Sequence, residues 1–399
     1  MAKIKFSVAT NWQDDLIPKI KRGYIEEIYG KLSADFVGGG RPSYLLPHPT
    51  KEQVQVHIQE SHKNGLKFNY LLNAPCMGGR EFTSVGQRQI HKILDWLVKI
   101  NADSITVSVP YLAELIKRRY PKFKICISSY VKVNTVKSAK FWEDLGADLI
   151  TLHPPSVNRN FSLLREIRKN VKCKLQLIAN NACIYGCPLS LSGYHGILAS
   201  HQSQSFTTAT KYSVLFDYCV LKCRYERLIN PVQFIRSDWI RPEDIHVYGE
   251  LGIDRIKLVD RTASTDDLLL VVDAYSKQYY EGNLIALFLL FCKKVFLQKN
   301  KVQRKISKSD LLRLRELATY KDVIYIDNRT LDGFLDFFLK GNCRWPQCND
   351  CGYCEQIAKK SIRINSIKRA KLMLQFKNAL NNLILGRYWK KEKFKKNFK

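Results

Sequence analysis

Eight of the 12 cysteines in this 399-residue chain fall into two groups whose spacing suits metal ligands. In the first group, Cys183-Ile184-Tyr185-Gly186-Cys187-Pro188 is a Cys-x3-Cys-Pro run, and Cys219-Val220-Leu221-Lys222-Cys223 is a second Cys-x3-Cys. Four thiolates in two close pairs on one loop can close around a single metal centre. Zinc ribbons prefer two-residue knuckles. Three-residue spacing, with Pro directly after a Cys, leans toward an iron–sulfur group, where four cysteines hold a [4Fe–4S] cubane. The bland alternative, buried pairs packing as small hydrophobes, leaves the repeated pairing in a polar loop unexplained. The second group is Cys343, Cys348, Cys351 and Cys354, spaced x4, x2, x2. It resembles ferredoxin runs, but zinc fits nearly as well, so a second iron–sulfur cluster and a zinc ion both stand. Cys76, Cys126, Cys173 and Cys292 sit in or beside apolar runs and are expected to be buried, although Cys76 follows a strand end.

Hydrolytic signals are thin. His57-Ile58-Gln59-Glu60-Ser61-His62 fits neither zinc-peptidase pattern, and an i, i+5 pair does not share a helix face. It reads as a solvated helix face. No GxSxG elbow is present. The three-cysteine Cys-x3-Cys-x2-Cys signature of radical enzymes is also missing.

These groups need a scaffold, and the first 280 residues supply its pattern. Short β-branched runs recur at 4–9, 67–72, 104–109, 124–130, 149–152, 174–179 and 255–259, and one more fits best at 24–29, ahead of the Gly38-Gly39-Gly40 loop. Amphipathic stretches at 50–64, 85–100, 111–120, 136–145, 161–169 and 241–251 lie between them. Strand–helix alternation predicts a parallel sheet. A weak repeat supports this: Asn101-Ala102-Asp103, Gly146-Ala147-Asp148 and Gly252-Ile253-Asp254 each precede a buried strand, with Asn or Gly as the left-handed helix stop. Eight such units predict an α/β fold, a (β/α)8 TIM-like barrel over 1–282. No GxGxxG follows the first strand, so nothing favours a dinucleotide site. About 60 residues, 180–240, interrupt the alternation after the seventh strand and carry the first cysteine group. Insertions at that end lie on the face where barrel chemistry sits.

Polar residues gather at the expected strand ends: Asn11, Asn73, Ser128 with Ser129, His153, Asn180 with Asn181, and Asp260 with Arg261. Asn73, His153, Asn180, Asp260 and Arg261 are the candidate catalytic groups. Arg41, Arg80 and Ser128 are the candidate substrate ligands, since Arg grips carboxylate or phosphate bidentately. His195 and His201, in the cysteine loop, fit acid–base groups, supports for the metal ligands or solvated loop residues equally well.

The formal charge is +29, from 65 Lys and Arg against 36 Asp and Glu. Residues 283–399 hold 27 basic and 9 acidic side chains, a net of +18, and form the expected small, basic, mainly helical C-terminal domain. Such an excess implies a polyanionic partner. The start of the sequence has no apolar signal region, and no apolar run is long enough to span a bilayer. The longest, 284–292, reads as a buried helix. A soluble, cytoplasmic protein without membrane contact is expected.

The run Asn180 to Pro188, the Cys219–Cys223 pair followed by Asn230-Pro231, the segment Trp239-Ile240-Arg241-Pro242-Glu243-Asp244 and Ile256-Lys257-Leu258-Val259-Asp260-Arg261 resemble the collagenase-like peptidases, peptidase family U32. The family label implies proteolysis of unassigned catalytic type. The branch that this chain resembles implies a [4Fe–4S] cluster and oxygen-independent hydroxylation of tRNA or ribosomal RNA bases, or of a quinone precursor. Prephenate would be the acidic co-substrate, and pairing with a related chain as a heterodimer comes with the same resemblance. Carried over by position, Cys183, Cys187, Cys219 and Cys223 are the cluster ligands. The chain departs from those hydroxylases in cysteine spacing, in its second four-cysteine group and in its short C-terminal domain. Three functions follow: a redox iron–sulfur enzyme acting on RNA, a collagenase-like peptidase, and a non-catalytic metal-stabilised RNA-binding protein. In the first, the C-terminal domain meets phosphates, with bases on aromatics such as Tyr388 and Trp389.

Overall fold

The structure is a computed structural model that describes residues 4–20, 22–43, 46–190, 193–204, 218–288, 320–344 and 347–387. Cys292, Tyr388, Trp389 and the basic run 390–399 lie outside the described residues.

Eight parallel strands close a barrel: β1 Lys5–Ala9, β2 Ile25–Gly30, β3 Lys67–Leu72, β4 Ser104–Val107, β5 Lys124–Ile127, β6 Leu149–Thr151, β7 Lys174–Ile178 and β8 Arg255–Leu258. The pairing of Phe6 with Ile256 and Val8 with Leu258 joins the last strand to the first. The strand at 25–30 is the expected one; Asp35 instead sits in the loop that follows it.

The three repeats have a common cause. Asn101, Gly146 and Gly252 take φ of 57°, 96° and 81°, the left-handed stop that ends each helix. The Asp two residues later then accepts the backbone N–H of the second residue of a neighbouring strand. Asp103 takes Phe68 N at 2.7 Å, Asp148 takes Ile125 N at 2.9 Å and Asp254 takes Leu175 N at 2.9 Å. Each repeat therefore stops a helix and satisfies a strand end that would otherwise be an orphan donor.

Because strand side chains alternate, one set packs outward on the helices and the other fills the barrel. Phe6, Val8, Ile28, Phe68, Ile105, Ile125, Ile150, Leu175 and Ile256 are buried in the continuous core. The interior set is polar where barrels usually place branched apolar residues. At its base Glu27 accepts Ser7 Oγ at 2.6 Å and Asn69 Nδ2 at 3.2 Å, and pairs with Arg255 Nη1 at 2.7 Å. Asn69 reaches the thiol of Cys126 at 3.4 Å and accepts Thr106 Oγ1 at 2.8 Å. Burying these groups is tolerable only because they satisfy one another.

The 3-10 turn Leu284–Leu287 is buried but is not a long helix as far as the described residues run. The described C-terminal segment adds a two-stranded antiparallel sheet, β9 Ile324–Ile326 with β10 Ile362–Ile364, and the helices Tyr353–Ser361 and Ser366–Ile384. It is fastened to the insertion and to Arg241 directly after it. Arg369 Nε donates to Leu228 O at 2.7 Å, Tyr320 to Arg224 O at 2.7 Å, and buried Arg241 to Asp332 at 2.6 Å. Trp239 stacks on Phe288 and Phe334 at 6.1 and 5.3 Å between centroids. Among the described residues no helix is long and apolar enough to cross a membrane.

Candidate active site at the barrel mouth

Beyond the polar interior, at the C-terminal ends of the strands, lies a cavity of about 630 Å³ including its open mouth. Five of the expected residues line it: Arg41, Asn73, Ser128, Asp260 and Arg261. Ser129 and Asn181, also named at the strand ends, line it too, as do Tyr29, Tyr130 and Lys257, which the sequence reading does not single out. Tyr29 and Lys257 were findable by counting inward positions along strands. Lys257 is two residues beyond Arg255 on β8, and Tyr29 two beyond Glu27 on β2.

Arg41 Nε stands 3.8 Å from Asp260 Oδ1. Burial works against the Arg41 charge, but Asp260, with help from Tyr130, Tyr29 and Cys183, outweighs it and raises its pKa. Tyr130 donates to Gly40 O at 2.8 Å, and a Cβ on Gly40 would lie 1.9 Å from the Tyr130 hydroxyl. The glycine loop is thus a requirement of close packing under the rim. Ser203 of the insertion holds it from above, accepting Gly39 N at 2.7 Å.

Arg261 differs. It is 6% exposed, its Nη1 is buried with no hydrogen-bond partner, and among the described residues it makes no ion pair. Burial, then the nearby Arg41, pull its pKa down. An uncompensated buried guanidinium is costly unless an anion joins it. Asn73 Nδ2 donates to Ser128 Oγ at 3.2 Å while its buried Oδ1 has no partner. Burial pulls the Lys257 ammonium down to about 8, with Nζ 3.8 Å from the Tyr29 ring centroid.

Three expected site residues stand outside this lining. Asn180 clamps backbone: its Oδ1 accepts Val259 N at 2.7 Å, and its Nδ2 donates to Leu287 O at 3.2 Å and to Val259 O. His153 caps a helical turn, with Nδ1 2.7 Å from Ser156 Oγ. Arg80 donates to Met77 O and Phe36 O, each at 3.0 Å, and lies over the Phe36 ring. Sequence position put all three near strand ends. Where their side chains turn is decided by neighbours distant in sequence.

The 57–62 motif also needs correction. His57 is buried, 2.8 Å from Thr10 Oγ1, and burial lowers its pKa to about 4. His62 pairs with Asp103 at 2.8 Å. The motif is a packing device between helix and barrel, with only part of it solvated. His195 is buried on the helix Tyr194–Ser203, and His201 is exposed on the same helix.

No disulfide joins any two of the described cysteines. Cys183 follows β7, its backbone N–H held at 2.7 Å by the buried carboxylate of Asp238. Arg227 donates to Ala182 O in the same turn. Cys219 and Cys223 share one face of the helix Tyr218–Ile229 at i, i+4 spacing. Burial pushes the Cys187 thiol up, and Cys223 is near enough to add to it. Among the described residues no three His, Cys, Asp or Glu side chains stand close enough together to hold a single ion. A cubane asks for something different, since each cysteine binds a separate iron and the sulfurs span the cluster. The four-thiolate donor set of Cys183, Cys187, Cys219 and Cys223 fits that group by its chemistry. In the second cysteine group, Cys348 and Cys351 bound one helical turn and Cys354 lies in the next helix. Burial pushes Cys354 up to about 11, against the pull of Arg159 and Arg236.

A model of Peptidase family U32 matches residues 47–282. The chain belongs to peptidase family U32. An uncharacterised protease of Methanocaldococcus jannaschii is 30% identical over 346 residues, 87% of this chain and 91% of that protein. The tRNA hydroxylation protein P of Escherichia coli is 27% identical over 170 residues, 40% of this chain and 35% of its own length. The match thus spans about a third of that relative. Among solved structures, a U32 peptidase described as Mk0906 is 21% identical, covers 64% of this chain and 92% of its own, and gives a TM-score of 0.47.

Proposed function

We propose that this U32 protein is an iron–sulfur redox enzyme of the RNA-hydroxylating kind, using a small anionic co-substrate bound in the barrel mouth. The observation that carries the reading is the convergence of Arg41 and Arg261 on one cavity beside Cys183, which does not line it but is near enough to bear on the charge of Arg41 and on the Tyr130 hydroxyl. The partial likeness to a tRNA hydroxylation protein supports the same direction.

Cys183, Cys187, Cys219 and Cys223 would hold the cluster. A [4Fe–4S] group there supplies one-electron transfer. The chain's own residues do the rest. Arg261 offers unspent donors to a carboxylate, and Arg41 is steered by Asp260 so that its guanidinium stays on the rim. Asn73 keeps a buried carbonyl oxygen for a ligand donor. The base of the barrel, closed by Glu27 and Arg255, leaves entry from the mouth. An RNA base is small enough to enter if it is splayed out of its stack, and the basic C-terminal region would hold the phosphates.

The test is anaerobic purification followed by iron, sulfide and zinc analysis, then assay of tRNA and ribosomal RNA for new hydroxyl groups. About four irons per chain and RNA product formation are expected. Zinc alone, or a metal-free chain, overturns the reading. The peptidase reading rests on the family label; casein or gelatin cleavage that survives a Cys183→Ala, Cys187→Ala double substitution would establish it instead. The polar lining of the cavity counts against a purely structural, non-catalytic barrel.

A further inference from the structure

Lys257 has no task in the scheme above, yet it lines the cavity and is only 8% exposed. We propose that the Lys257 amine forms an imine with the carbonyl carbon of a 2-oxo acid whose carboxylate is held by Arg261. The inference rests on the reading of the cavity as an anion site and adds a covalent step to it.

Two other buried basic groups show what is unusual here. Lys31 is fully buried but pairs with Asp35 at 2.9 Å and donates to Leu32 O at 2.9 Å. Arg255, on the same strand as Lys257, takes both Glu26 and Glu27 at 2.7 Å. With Glu27 engaged by Arg255, Lys257 makes no ion pair among the described residues, and its Nζ meets the face of Tyr29 at 3.8 Å. The cavity therefore holds three cationic groups, Arg41, Arg261 and Lys257, against the single carboxylate of Asp260. One ligand resolves both vacancies: a carboxylate for Arg261 and an adjacent electrophilic carbon for Lys257. A phosphate would satisfy Arg261 but gives the amine nothing to attack.

The groups facing Lys257 from the surrounding strands set its readiness. Burial lowers its pKa to about 8; Glu27 and Cys126 oppose that, while Arg261 and Arg255 add to it. A neutral amine fraction is thus present near neutral pH, the usual means of activating a lysine toward carbonyls. In the step, the Nζ lone pair adds to the carbonyl carbon and the oxygen takes up one of the two Nζ protons, the second leaving with it in the dehydration. The resulting carbinolamine loses that oxygen as water, leaving a C=N bond to Lys257. No oxidant or reductant is consumed.

The experiment uses the full chain with phenylpyruvate as probe, sodium borohydride to reduce any imine to a stable secondary amine, and peptide mass mapping. One adduct per chain is expected, on the peptide carrying Lys257. Labelling there should fall at least tenfold in Lys257→Arg, and also in the unaltered protein when excess phenyllactate, which lacks the carbonyl, competes. Calorimetry with phenyllactate separates anion binding from imine formation. If phenyllactate binds and no Lys257 adduct forms, the imine is overturned and the anion site stands. If phenyllactate does not bind either, both fall. Adducts spread over surface lysines and unchanged in Lys257→Arg also overturn the proposal.

Discussion

Asp238 joins the cysteine loop to the cavity: its Oδ1 accepts the backbone N–H of Cys183 and its Oδ2 accepts the side-chain amide of Asn181, each at 2.7 Å. Asn181 lines the cavity, so one buried carboxylate positions both. Replacing Asp238 with Asn removes one of two acceptors and leaves a buried donor unpaired, costing about 1–3 kcal/mol. Asp238→Asn should melt several degrees lower and retain severalfold less iron per chain. Calorimetric melting and iron analysis check this; an unchanged iron content would contradict the linkage.

Arg261 should dominate anion affinity. Hydrogen bonds to a charged group are worth about 1.5–3 kcal/mol, so Arg261→Met should weaken phenyllactate binding by about 10- to 100-fold. Arg80→Met should change it little, because Arg80 spends its donors on backbone carbonyls outside the cavity. Titration calorimetry of the two variants against the unaltered protein decides it.

Serine at Cys187 or Cys223 should abolish the visible absorption of an anaerobic preparation and remove most of its iron. RNA affinity should remain within a few-fold, since phosphate contacts belong to the basic C-terminal region. Loss of RNA binding in parallel with iron would place the cluster in the RNA interface instead.

RNA affinity should fall steeply with salt. Each phosphate neutralised contributes about 0.7 to the logarithmic slope for single strands, so a region with a net charge of +18 should give a slope of about −2 or steeper. Filter binding between low and physiological salt measures it. A flat profile would contradict electrostatic docking.

His57 and His153 are both held neutral, with pKa values near 4 set chiefly by burial, below the ordinary 6.5. Protonation therefore favours the unfolded chain. Their contribution is fully present above pH 6.5, is lost progressively as the pH falls from there, and is gone below about 4. From the buried His57 alone the loss between pH 7.5 and 4.5 should be roughly 2 kcal/mol. Denaturant unfolding at both values should show the drop, and His57→Gln should flatten it.

Much of the architecture was legible in the sequence because periodicity and local stops are local physics. The three Asn/Gly-x-Asp repeats mark helix ends whatever surrounds them, and eight strand–helix units matched a barrel with an insertion after the seventh better than an open sheet. Arg41, Asn73, Ser128, Asp260 and Arg261 were found because strand C-termini converge in any such barrel. The pairing of the cysteines was legible because their spacing is written along the chain.

Other features needed the third dimension. Whether a strand-end side chain faces the cavity depends on which partner captures it: Val259 and Leu287 take Asn180, Ser156 takes His153, and Phe36 takes Arg80. Whether His57 meets water depends on Thr10, far away in sequence. Above all, the isolation of Lys257 and the unspent donor of Arg261 are properties of a set of neighbours. Charge compensation acts through space, and Glu27 could be assigned to Arg255 only once the barrel had closed around them.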